Sequence, residues 1–274
     1  GFDQLIIIES GNDSAHNILF YNSDGEEAEA CGNGSRCVAH FLMEEKKIKK
    51  ISINTKSGIL NSIDNVTAHF SRFTVTEISS NPNSLNQFNY SKIIESAKLL
   101  ADAKVDVIAW NGTSAGWLGF ESDENLCKEI KKATGINATT TVLTLNEIFK
   151  MNSIKNFGLV TPYLEDIQKK IISNYKKSGF NCVGEKHLND KGNFSFSEYS
   201  PELIEGLIRE VAKTKPDAIV VLCTNFRGAE VVHSLEEELG IPIYDSVNIT
   251  LWKCLKMCNI KTEVIKGWGR LFKQ

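Results

Sequence analysis

Two stretches of this chain share one plan, and that plan leaves few folds open. Residues 106–116 read DVIAWNGTSAG and residues 217–228 read DAIVVLCTNFRG. Each opens on an acid, runs through apolar residues for the length of a short strand, and ends in small or polar ones. An offset of 111 residues, from 106 to 217, lays Ile108 on Ile219, Gly112 on Cys223, Thr113 on Thr224 and Ser114 on Asn225. Amphipathic segments at helical spacing, 91–104 and 201–214, precede the two stretches. Similarity at a fixed offset indicates related units. Continuous apolar runs indicate strands buried on both faces of a parallel sheet.

Cys223 therefore sits where a strand stops. Residues 229–239 are amphipathic and read as the helix that follows. Ligands of open α/β sheets gather at the carboxyl ends of strands. A helix N-terminus there favours a thiolate over a thiol and offers N–H groups to an anion. The expectation is an acidic Cys223 thiol at a cleft between two half-units.

The rest of the chain divides into two characters. Residues 2–9 and 16–21 read as strands, and Gly32-Asn33-Gly34-Ser35 breaks the chain before a helix at 36–45. Two short strands follow at 50–55 and 58–63. From about residue 66, strands and helices alternate. Strands are expected at 66–76, 105–110, 157–160, 180–184, 218–222 and 241–244. Helices are expected at 91–103, 122–134, 139–151, 164–177, 201–214, 228–239 and 247–258. This order predicts an α/β fold of two facing parallel-sheet, Rossmann-like halves related by a pseudo-twofold repeat. A small α+β fragment, strands around one helix, precedes them. The expected domains are 1–64; 65–155 together with the C-terminal helix 247–274; and 156–246.

Charge narrows the partners. Thirty-one Lys and Arg stand against 34 Asp and Glu, a net charge of −3. That gives no electrostatic case for nucleic acid or an anionic membrane. No run is apolar for about 18 residues, so no membrane span is expected. The seven scattered cysteines, without a secretion signal, suggest reduced thiols and a cytoplasmic protein. Cys37, Cys254 and Cys258 read as core thiols. No histidine or cysteine spacing calls for a metal.

The second region resembles the aspartate/glutamate racemase superfamily, most closely its maleate isomerase and arylmalonate decarboxylase branch. The residues that carry this are VDVIAWNGTSAG (105–116), ATTT (138–141), GLVTPY (158–163), CTNFRGAEVV (223–232) and GIPIYDSVNITLW (240–252). The resemblance implies cofactor-independent proton transfer at the carbon next to a carboxylate. It implies Cys223 as the acid/base cysteine. Thr113, Ser114, Tyr163, Thr224 and Asn225 would cradle the carboxylate, with Ser246 at the rim. Gly112 stands where racemases and maleate isomerases carry a second cysteine. One thiol suits a decarboxylase acting on a small malonate- or maleate-like dicarboxylate.

The first region resembles diaminopimelate epimerase, through GFDQLIIIE, YNSDGEEAEACGNGSRC and INTKSGIL. That resemblance implies Cys31 as a catalytic thiol, Asn22 and Asn33 as binders of an amino-acid substrate, and Gly32 and Gly34 as anion-cradle glycines. Each resemblance covers part of its family, and the two meet near residue 64, as in a fusion or a mis-joined reading frame. The sequence therefore carries three readings: a decarboxylase or isomerase of a small dicarboxylate; a diaminopimelate epimerase of lysine biosynthesis; and an inactive fusion or carboxylate-binding protein.

Overall fold

A computed structural model describes residues 4–9, 16–22, 24–28, 32–48, 50–55, 58–63, 66–81, 84 and 86–274. The chain divides into two compact units, Gly1–His69 and Phe70–Gln274.

The first unit carries β1 (Gln4–Glu9), β2 (His16–Asn22), β3 (Glu27–Ala28), α1 (Gly32–Lys46), β4 (Lys50–Thr55) and β5 (Gly58–Ile63). The sheet order is β1-β2-β4-β5, and β3 also pairs with β2. Only the β2–β4 pairing is parallel among these. One core joins Ile18, Phe20, Ile51 and Ile53 of the sheet to Val38, Ala39, Leu42 and Met43 of α1. Alternate strand residues and an i, i+4 helix stripe make that contact possible. The Gly-Asn-Gly segment does not break the chain as expected. It lies in the first turn of α1.

The second unit carries α2 (Tyr90–Asp102), β6 (Ile108–Trp110), α3 (Ala115–Leu118), α4 (Phe120–Thr134), β7 (Ala138–Thr140) and α5 (Thr141–Met151). Next come β8 (Asn156–Thr161), α6 (Glu165–Lys177), β9 (Asn181–His187), α7 (Pro201–Ala212) and β10 (Ala218–Val221). It ends with α8 (Val232–Leu239), β11 (Ile243–Asp245) and α9 (Ser246–Met257). Four strands form a parallel sheet in the order β11-β10-β8-β9, and β6 and β7 form a two-stranded parallel sheet. The α/β class with parallel sheets is as the alternation predicts. Ala218 to Val221 are fully buried, as a strand covered on both faces must be.

A line of hydroxyls crosses from one sheet to the other. Thr141 lies 2.7 Å from Thr250 on α9, Thr250 donates to the Ser246 carbonyl at 3.0 Å, and Ser246 donates to the Val221 carbonyl at 3.0 Å. Helix α9 thus ties the end of β7 to the end of β10.

Four expected elements differ, the first being the C-terminal helix expected over 247–274, which ends at Met257 and gives way to 3-10 turns at Thr262–Val264 and Arg270–Lys273. Residues 66–76 form no strand, and the nearest pairing is a single bridge, Glu77 to Gly192. The helix expected from Thr139 begins at Thr141, because Ala138–Thr140 pairs with β6. The helix expected from Gly228 starts at Val232, after a 3-10 turn at Ala229–Val231.

Candidate active site

The loops after β6, β8 and β10 meet at Tyr163. Pro162 stops β8, and the Tyr163 amide donates back to Thr161 Oγ1 at 3.3 Å. The ring is 2% exposed. It stands edge-on to Trp117 and Phe196, with centroids 5.3 and 5.6 Å away. Its hydroxyl lies 2.7 Å from Thr113 Oγ1 and stands close enough to the Cys223 sulfur to pull that thiol down. Tyr163, Thr113 and Cys223 are thereby in one contact line.

Cys223 is a thiol, not the acidic thiolate expected. Burial pushes it up to about 11, against the pull of the Tyr163 hydroxyl and the backbone amides of Asn225 and Phe226. The charge of Asp245 pushes the same way as burial. The expectation failed because no helix starts behind the cysteine. The α8 helix begins nine residues on, after a 3-10 turn at Ala229–Val231, so Cys223 is not at a helix N-terminus in the sequence. Burial also raises Tyr163 well above the ordinary tyrosine range, followed by the nearby Cys223.

The other expected residues divide. Ser114 is 5% exposed and precedes α3, but its side chain makes no capping bond. Its hydroxyl is thus not spent on the helix. Thr224 is half-buried beside Cys223. The Asn225 side chain is occupied, donating to the carbonyl and side-chain oxygens of Asn193 at 3.0 and 3.1 Å. Ser246 is fully enclosed, with its hydroxyl on the Val221 carbonyl, rather than at a rim. A Cβ on Gly112 would run into the Trp110 indole, so that indole takes the space a second thiol would need.

In the first unit, Asn22 ends β2, and Gly32, Asn33 and Gly34 open α1. Cys31 lies outside the described residues. Sequence reasoning missed Asp245, which is 0% exposed and is lifted by burial to about 7. Its place in the IYDS run reads only as a helix cap. Among the described residues, no group of three His, Cys, Asp or Glu could hold a metal ion, and no helix is long and apolar enough to cross a membrane.

What the arrangement can do is donate. A thiol, a phenol and the Thr113 alcohol adjoin one another, all buried, and aimed donors of this kind stabilise negative charge on oxygen.

Comparison with known proteins places this geometry. The family model of arylmalonate decarboxylase matches residues 77–272, and that of diaminopimelate epimerase matches residues 1–77. Among curated proteins, diaminopimelate epimerase of Pelagibacter ubique (strain HTCC1062) is 48% identical over 62 residues. The match takes in 23% of this chain and 23% of that protein, so the chain spans about a quarter of such relatives. Among solved structures, a liganded double mutant of arylmalonate decarboxylase superposes with a TM-score of 0.66 at 17% identity, covering 72% of this chain and 84% of that one. The Nocardia farcinica maleate cis-trans isomerase, a mutant with a covalently bound succinylcysteine intermediate, gives 0.69 at 20%, covering 75% and 85%. At these identities the superpositions speak for the fold. The match over residues 77–272 covers most of the chain, which therefore belongs to the arylmalonate decarboxylase family, lyases and isomerases of the aspartate/glutamate racemase superfamily; ahead of it lies a segment similar to part of diaminopimelate epimerase.

Proposed function

We propose that the second unit decarboxylates a small malonate-like dicarboxylate, with Cys223 as the sole proton donor. The observation that carries this is the contact line Thr113–Tyr163–Cys223, drawn from three strand-end loops. The bond from the α-carbon to one carboxylate breaks and releases CO2. Its electron pair stays on the α-carbon and spreads into the remaining carboxylate as an enediolate. Thr113, Ser114 and Tyr163 hold the enediolate oxygens. Cys223 gives its proton to the α-carbon, and the thiolate is reprotonated from solvent. A thiol at about 11 is protonated at neutral pH, as a donor must be. Glycine at 112, under the Trp110 indole, supports one thiol rather than two, and so favours decarboxylation over racemisation or isomerisation.

The test is deuterium incorporation from heavy water into a panel of substituted malonates. One deuterium per CO2 released is expected, and Cys223→Ala should lose both. Equal incorporation by the two proteins would defeat the proposal.

A second reading belongs to the first unit. Identity of 45–48% to diaminopimelate epimerases over its length supports proton transfer at the α-carbon of an amino acid, with Cys31 as one thiol and Asn22, Gly32, Asn33 and Gly34 around the substrate. Protection of Cys31 from iodoacetamide by diaminopimelate would support it, and unprotected alkylation would count against it.

A further inference from the structure

Asp245 closes β11 and opens α9, and only half of its carboxylate has a partner. Oδ1 accepts the amides of Val247 and Asn248 at 2.8 and 3.3 Å, which caps α9. Oδ2 is buried and accepts nothing. The sheet register sets Asp245 beside Val221, two residues before Cys223. Side chains two apart on an extended chain share a face. The loop after Cys223 then folds back over the carboxylate. A Cβ on Gly228 would stand 2.8 Å from Oδ2 and 2.6 Å from Val221 Cγ1, so only glycine lets that loop close.

The charged neighbours are few. Cys223 faces the acid from the loop after β10, with Tyr163 beyond it from the loop after β8. On the surrounding elements Arg227 is paired with Glu230, Lys253 with Glu147, and Glu236 with the Arg270 backbone amide. None of these contributes to the lifting of Asp245, which comes from burial.

We propose that Asp245 is a positioning residue for Cys223: its unpartnered Oδ2, held against the returning loop, adds to burial in favouring the protonated sulfur, ready to donate. This rests on the reading of Cys223 as the proton donor. Above about pH 7, where Asp245 is ionised, its charge disfavours a second negative charge on sulfur. The thiol is held back until an acceptor carbanion forms.

The test reads the thiol rather than turnover. Iodoacetamide alkylation of Cys223 is followed across pH by mass spectrometry of its peptide. Asp245→Asn and Asp245→Ser both keep a capping oxygen and remove the charge. In both, the midpoint of the alkylation profile should fall by about one pH unit. An unmoved midpoint in either variant overturns the inference. So does failure of both to fold, because Asp245 would then be a structural cap for α9 rather than a residue that acts on the sulfur. If Cys223→Ala is inactive and the midpoint is unmoved, only the role of Asp245 falls. If Cys223→Ala is fully active, the reading of Cys223 falls, and the profile still reports on Asp245.

Discussion

At the scale of single residues, Tyr163 joins the two sides of the site. Its hydroxyl meets Thr113 and acts on the Cys223 thiol. Tyr163→Phe keeps the ring against Trp117 and Phe196 and removes only the oxygen. Losing one preorganised donor to a developing oxyanion costs about 10²–10³ in kcat. We expect a fall of that order in steady-state kinetics, with little change in KM. The Cys223 alkylation midpoint should also move upward, because the phenol pulls the thiol down. A fall in kcat/KM arising wholly from KM would show that Tyr163 merely binds. Cys223 was legible in the sequence from its place just past a strand, and Thr113 and Tyr163 through the resemblance to the racemase superfamily. The protonation of Cys223 was not, because it depends on burial and on Asp245, which lies 22 positions further along the chain.

At the scale of elements, β8 and α7 pack more closely than their residues advertise. Ser200 caps α7 through the Leu203 amide, and Ile204, Ile208 and Val211 form its buried stripe. Val211 lies directly over Gly158 of β8, where a Cβ would collide with it. Gly158→Ala should therefore overpack this contact and cost about 1–3 kcal/mol. Urea unfolding should show a lower midpoint with an unchanged slope. An unchanged midpoint would mean that α7 shifts freely. The misread elements have physical reasons. Residues 69–76 do alternate between half-buried and exposed, as a strand would, and Phe73 stacks on Trp110 at 5.4 Å. No neighbouring strand lies along them. Side chains take over instead, with Thr76 N donating to Gln87 and Asn193 donating to the Val75 carbonyl. Alternation specifies an extended chain, whereas a strand also needs a partner. In 138–141, three strand residues run straight into a helix, with Thr140 as its cap through the Leu143 amide. A pattern that short carries no period.

At the scale of the whole molecule, each unit has a core of its own. Ile18, Phe20 and Leu42 belong to a cluster drawn entirely from the first unit, and Ile93, Leu126 and Ile130 to one drawn from the second. Units with separate cores can fold separately. The fragment 70–274 should therefore be soluble, melt cooperatively, and match the full chain in deuterium incorporation into a malonate. Unfolding of the fragment, seen by circular dichroism, would mean that the second unit depends on the first.

The sequence by itself determined the class of the fold and the addresses of the candidate chemistry. Apolar runs and helical stripes are local patterns, and a strand-end residue is marked by the strand before it. Tertiary structure alone decided which of those addresses meet, and in what ionisation state. The Tyr163 hydroxyl reaches Thr113 across 50 positions of chain, and the Asp245 carboxylate ends beside Val221 through sheet register. Distance along a chain does not encode distance in space, and desolvation acts only on groups that the finished fold encloses.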